Sequence, residues 1–197
     1  MACFIFFCCA LTGCGKPPSL PALAANATIL AFGDSLTFGT GAAVNESYPA
    51  QLKTLISREV IAAGVPGETS ADGLVRLPSA LDEHQPKLLI LCHGGNDFLQ
   101  KLGDDKAAAN VRAMVKLAKD RGIAVVLIAT PKPGLSPTPP DFYQAIAKEF
   151  SIPIDDAVLK NVLTDNALKS DLVHPNARGY GVMAEAMAKL LKKSGAI

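Results

Sequence analysis

A serine just after an apolar run, a histidine with a carboxylate three positions before it, and a glycine-rich amide turn between them are residue types suited to acyl transfer. Ser35 stands in Gly33–Asp34–Ser35–Leu36, directly after the apolar residues 28–32. A strand turning into a helix at that point exposes the hydroxyl and points backbone N–H groups outward. A serine hydroxyl is inert without a base in reach, and imidazole, with an unperturbed pKa of about 6.5, suits that task. The chain has three histidines. His84 lies among charged and polar residues at a predicted helix end, and His93 closes an apolar run beside two glycines. His174 alone has a carboxylate three residues before it, Asp171, in a turn before a helical pattern. That spacing lets the aspartate fix the ring tautomer while the other ring nitrogen faces Ser35.

Nucleotide chemistry fits less well. A dinucleotide fingerprint needs three glycines, and the segment from Gly39 to Val44 offers two; there is no Gly-Lys-Ser/Thr phosphate loop. Taken singly, Gly-Asp-Ser, Gly-Gly-Asn-Asp and Asp-x-x-His are ordinary turns or caps. Their joint occurrence in this order, at strand ends, is what points to chemistry.

These residues need a frame that brings them together. Apolar runs at 28–32, 87–92 and 123–129 end in Gly33, Gly94 and Pro131, with weaker strand patterns at 59–62 and 152–154. Continuous apolar runs suit strands buried on both faces. Helical spacing lies between them: Tyr48, Leu52, Leu55 and Ile56; Val111, Met114, Val115 and Ala118, closed by Gly122; Phe142, Ala145, Ile146 and Phe150 after a capping-box-like Thr138–Pro139–Pro140–Asp141; and Tyr180, Met183, Ala184, Met187 and Leu191 before Lys192–Lys193. Alternating strands and helices predict a parallel sheet covered by helices. In such a sheet ligands bind beyond the carboxyl ends of the strands. That is where Ser35, Gly67, Asn96 with Asp97, and the Asp171–His174 turn fall.

With 197 residues, 49% hydrophobic and 19% charged, the chain suits one globular domain rather than a disordered segment. The net charge of +1 argues against a nucleic-acid partner.

Four of the five cysteines lie in the first fourteen residues, and Cys92 alone lies in the body. The opening apolar run is too short to cross a bilayer core, which needs about 20 apolar residues, but has the length of a secretory h-region. Leu11–Thr12–Gly13–Cys14 resembles the lipobox of bacterial lipoproteins. The resemblance implies a signal peptide over 1–13, lipidation at Cys14, and an exported, periplasmic or membrane-anchored protein. Residues 14–27, rich in Pro, Ala, Leu and Ser, read as a tether, and 28–197 as the domain.

At the four turns the sequence resembles the SGNH (GDSL) hydrolase family. Gly33–Asp34–Ser35–Leu36 matches its first block, Gly67 the second, Gly94–Gly95–Asn96–Asp97 the third and Asp171–Leu172–Val173–His174 the last. Gly67–Glu68–Thr69–Ser70–Ala71–Asp72–Gly73–Leu74 and His84–Gln85–Pro86 are similar to the thioesterase I/lysophospholipase L1/arylesterase branch. The resemblance implies a flavodoxin-like three-layer α/β/α sandwich with a central five-stranded parallel sheet, and ester hydrolysis without metal or cofactor. It implies Ser35 as nucleophile, His174 as base and then acid, and Asp171 as orienting carboxylate. The oxyanion hole would use Ser35 N–H, Gly67 N–H and the Asn96 amide. Asp34 and Asp97 read as supporting, turn-stabilising carboxylates. The expected partner is a small acyl ester or lipid, with a membrane engaged through the N-terminal anchor and the domain acting as a monomer.

Two other functions use the same features: a carbohydrate O-acetylesterase on this fold, and a non-catalytic lipid-binding lipoprotein. Low aromatic content and the absence of Trp argue against sugar stacking, and a carrier has no use for an Asp–His pair. A metal site on His93 and Asp97 lacks ligand spacing.

Overall fold

A computed structural model of the protein describes residues 18–197. The signal-peptide and Cys14 expectations lie outside the described residues. Five strands, β1 (Ile29–Gly33), β2 (Val60–Gly64), β3 (Leu88–Cys92), β4 (Ala124–Ile128) and β5 (Ile154–Asp155), form one parallel sheet in the order β2-β1-β3-β4-β5.

The eight α-helices among the described residues are α1 (Ser35–Phe38), α2 (Tyr48–Ile56), α3 (Ser70–His84), α4 (Gly95–Leu99), α5 (Asp104–Asp120), α6 (Phe142–Phe150), α7 (Val158–Thr164) and α8 (Ala177–Lys193). Because side chains alternate along a strand, each apolar run serves two cores. Ile29, Ala31, Leu88, Ile90 and Val126 face α2, α7 and α8. Leu30, Phe32, Leu89, Leu91 and Val125 face α3, α5 and α6. β1 and β3 are buried at every position, as strands covered on both faces require. The result is the three-layer α/β/α sandwich the motifs imply.

Register aligns the strand ends that carry the turns. Gly33 pairs with both Gly64 and Cys92, so the residues that follow β1, β2 and β3 leave the sheet at one level. The strand order reverses direction between β1 and β3, the switch point at which such sheets form a crevice. Gly33 must be glycine: a Cβ there would stand 2.1 Å from the Cys92 carbonyl oxygen.

Local expectations are refined in several places. Val111, Met114, Val115 and Ala118 are fully buried, as are Tyr180, Met183, Ala184, Met187 and Leu191. Gly122 takes φ +72° beyond α5, as a residue just past a helix end should. Leu55 is half exposed because α2 turns only Tyr48, Pro49 and Leu52 fully inward. The buried face of α6 is Tyr143, Ile146 and Ala147, rotated from the expected stripe. The capping box does not form at Thr138, whose hydroxyl donates to Ser136 O while its carbonyl accepts from Lys132 N–H.

The described part of residues 14–27, expected as a tether, lies against the domain. Leu20 N–H donates to Ser194 O, Leu23 N–H donates to Ala196 O, and Arg58 Nη1 donates to the carbonyls of Leu23 and Ala24. Leu20 and Leu23 also pack on the core beside α8. The segment therefore reaches β1 at the pole opposite the carboxyl ends of the strands.

Candidate active site

Ser35 is the first residue of α1, one residue beyond Asp34, which caps the helix by accepting Leu36 N–H at 3.0 Å. Asp34 is buried. Burial pushes its carboxyl above the ordinary value, partly offset by the His93 charge and the Leu36 N–H. The short helix thus begins with the Ser35 hydroxyl held just beyond the carboxyl end of β1, an inner strand of the sheet.

His174 reaches Ser35 from the other end of the chain. Its Nε2 lies 2.9 Å from Ser35 Oγ, and its Nδ1 lies 2.8 Å from Asp171 Oδ2. The other Asp171 oxygen accepts the backbone N–H groups of Val173 and His174, each at 2.8 Å. Partial burial raises the Asp171 carboxyl, but the His174 ring and these two N–H donors outweigh it and hold the group below its ordinary value. With Nδ1–H donating its hydrogen bond to Asp171, Nε2 is left to accept the serine proton.

The loop carrying this pair is pinned at its base. Ser170 N–H donates to His174 O at 2.9 Å. Asn176 caps α8 by accepting Gly179 N–H and uses its own amide to hold Ala167 O and Lys169 O. Sequence reasoning passed over this role of Asn176; a polar residue just before a helical pattern was its available signal.

The third element is the Gly94–Gly95–Asn96–Asp97 turn after β3. Asn96 Nδ2 donates to Glu68 O at 2.9 Å and lies 3.4 Å from Asp34 Oδ2. This brings the amide between the Ser35 turn and the turn after β2. Gly67 holds φ +82° in that second turn, a backbone state glycine adopts without strain. Ser35, Asn96 and His174 line one cleft of about 490 Å³, open mouth included, with Leu99, Leu163 and Leu172 among its apolar walls.

Asp97 stands apart from the cleft chemistry. It is buried and accepts Ser70 N–H at 2.8 Å and Ser70 Oγ–H at 2.6 Å, tying α4 to the start of α3, while Asn110 Nδ2 donates to Ser70 Oγ. His93 Nε2 pairs with Glu68, at 3.0 Å, while the hydrogen bonds of Asp97 go to Ser70. Among the described residues, no group of three or more His, Cys, Asp or Glu side chains could hold a metal ion. Glu68, Arg76 and His93 form a cluster that sequence reasoning missed, buried at Glu68 and His93 and partly exposed at Arg76. Burial raises the Glu68 carboxyl, but hydrogen bonds and charge from Arg76 and His93 overcome this and bring it down to about 2. Their separation of 8 and 25 residues along the chain left no local pattern to read.

Arranged in this way, the cleft offers a hydroxyl beside a proton acceptor, with the Asn96 amide on the same partly apolar lining and Gly67 in the neighbouring turn outside that lining. That is equipment for opening a carbonyl.

The chain is similar to known proteins over most of its length. A model of the GDSL-like lipase/acylhydrolase family matches residues 31–182. The chain is 30% identical over 177 residues to thioesterase 1/protease 1/lysophospholipase L1 of Escherichia coli (strain K12), covering 86% of this chain and 85% of that protein. It is 29% identical over 180 residues to an arylesterase of Vibrio mimicus, covering 86% and 90%. The crystal structure of AlinE4, an SGNH-hydrolase family esterase, superposes with a TM-score of 0.67 at 30% identity, covering 88% of this chain and 98% of that one.

Proposed function

The chain belongs to the GDSL-like lipase/acylhydrolase family and is a serine ester hydrolase, and from that premise we propose that its chemistry runs through Ser35, His174 and Asp171. Ser35 Oγ attacks the acyl carbonyl while its proton passes to His174 Nε2. Asp171 holds the ring in the required tautomer and balances the imidazolium. The carbonyl oxygen, now negative, accepts the N–H groups of Ser35 and Gly67 and the Asn96 amide. Collapse expels the alcohol or thiol, protonated by His174, and leaves an acyl ester on Ser35. Water, deprotonated by His174, then attacks that ester and releases the acid. Asp34 supports the nucleophile turn by capping it.

The observation that carries this reading is the unbroken chain from Asp171 Oδ2 through His174 to Ser35 Oγ, with links of 2.8 and 2.9 Å. The test is a serine-reactive fluorophosphonate probe combined with hydrolysis of p-nitrophenyl esters. Wild-type protein should be labelled at Ser35, and Ser35→Ala should neither label nor turn over substrate. Wild-type turnover by purified Ser35→Ala would remove the serine from the mechanism.

The substrate is a small acyl ester or lipid. Leu99, Leu163 and Leu172 along the cleft suit an acyl chain, and the relatives' names extend the proposal to thioesters and lysophospholipids. A kcat/KM series over acyl length in matched ester and thioester pairs identifies the preference. We further propose that Cys14 is lipidated after export, supported by the residues at 11–14. A lipid-sized mass on Cys14, lost in Cys14→Ala, is the expected result.

A further inference from the structure

The cluster of Glu68, Arg76 and His93 sits directly behind the proposed oxyanion donors, and the acyl-transfer scheme makes no use of it. Glu68 Oε1 accepts Arg76 Nε at 2.6 Å, while Oε2 accepts Arg76 Nη2 at 2.6 Å and faces His93 Nε2 at 3.0 Å. Arg76 Nη2 also donates to Ala63 O at 3.1 Å and Gly33 O at 3.3 Å, and its guanidinium lies 4.0 Å over the Phe32 ring. His93 is fully buried, and its proton on Nε2 gives Glu68 a further donor. One carboxylate is therefore fastened to the ends of β1, β2 and β3 at once.

Burying an ion pair seldom adds stability over a well-packed apolar replacement, and its best-attested use is to specify one arrangement. Here the backbone being specified is functional. The Glu68 carbonyl accepts Asn96 Nδ2 at 2.9 Å, and the preceding residue supplies the Gly67 N–H. A primary amide has two N–H bonds. Engaging one on Glu68 O at 2.9 Å sets the amide plane, while the long 3.4 Å contact to Asp34 Oδ2 is the one a substrate oxygen would replace.

We propose that Glu68, Arg76 and His93 are positioning residues for the oxyanion hole, acting through the Glu68 peptide on the Gly67 N–H and the Asn96 amide. The proposal rests on the oxyanion assignment above. Glu68→Gln keeps the shape but turns an amide donor toward Arg76 or His93, so the peptide loses its fixed place. His93→Leu removes one tie and leaves the Arg76 pair intact.

The test is steady-state hydrolysis of a p-nitrophenyl ester by these variants, alone and on an Asn96→Ala background, with thermal melting to establish folding. Glu68→Gln is expected to lower kcat about tenfold and His93→Leu about threefold, both with KM within about twofold. Asn96→Ala alone should lose about 10²–10³ in kcat, and on that background the Glu68→Gln loss should shrink to about threefold or less. Folded variants with kcat within twofold of wild type, or losses that multiply in full with Asn96→Ala, would overturn the proposal while leaving the oxyanion hole standing. Undiminished kcat in Asn96→Ala would overturn both. If Glu68→Gln does not fold, His93→Leu decides by the same two criteria.

Discussion

Asp171 holds His174 twice, once through Oδ2 on the ring Nδ1 and once through Oδ1 on the backbone N–H, both at 2.8 Å. The same carboxylate thus sets the position of the residue and the tautomer of its ring. It does so while its side chain is 52% exposed, where water screens its charge more than in a buried triad.

Asp171→Asn keeps the backbone turn possible but presents the ring with an amide, favouring the wrong tautomer. For a buried triad this change costs about 10⁴ in kcat. Because screening has already reduced the electrostatic share here, the expected loss is on the order of 10²–10³. KM should change little. Stopped-flow or steady-state hydrolysis of an activated ester checks this, and a loss confined to KM would show that the pair positions substrate instead.

What the sequence made legible follows from locality. Ser35, Asn96 and the Asp171–His174 turn each sit within a few residues of a strand or helix boundary, and continuous apolar runs revealed β1, β3 and β4. β5 has only Ile154 and Asp155, too short to show a period. The ties of Glu68 to Arg76 and His93 are made across the sheet top, and the docking of Leu20 on Ser194 joins opposite ends of the chain. Neither leaves a spacing signal, because only the register of β1, β2 and β3 creates those neighbours.

Glu68 should leave a mark on acid stability. Its carboxyl falls from an ordinary 4.5 to about 2, which corresponds to about 3 kcal/mol of stabilisation. A depressed carboxyl contributes in full above its unfolded value and loses that contribution as pH falls toward the folded one. Glu68→Gln should therefore be less stable than wild type at pH 7, with the gap closing between about pH 5 and pH 2. Asp34, raised by burial, works in the opposite sense, so the difference between the two proteins is the quantity to read. Urea melts across that range supply it; a constant difference would contradict the assignment.

Asp97 should matter to folding more than to turnover. Asp97→Ala removes the acceptor of both the Ser70 N–H and the Ser70 hydroxyl proton in a buried place, leaving Ser70 Oγ only the Asn110 donor. Two unsatisfied donors cost about 1–3 kcal/mol each. At roughly 2–4 °C per kcal/mol for a domain of this size, a fall in Tm of about 4–24 °C is expected by calorimetry. At a temperature well below that Tm, kcat should fall by a smaller factor than in Asn96→Ala.

Gly73 lies inside α3, where alanine ordinarily improves helix stability by about 1 kcal/mol. Here a Cβ would stand 2.3 Å from His93 Nε2 and 2.9 Å from two ring carbons. The ring cannot retreat easily, because Nε2 is held by Glu68 and Phe32 lies against it with ring centroids 5.9 Å apart. Overpacking of this kind costs about 1–3 kcal/mol, so Gly73→Ala should lower stability. The sign should reverse when the obstacle is removed: in a His93→Ala background the same change should raise stability by up to about 1 kcal/mol. A double-mutant cycle in urea reads both values. Equal effects in the two backgrounds would mean that helix propensity, and not the imidazole, decides this position.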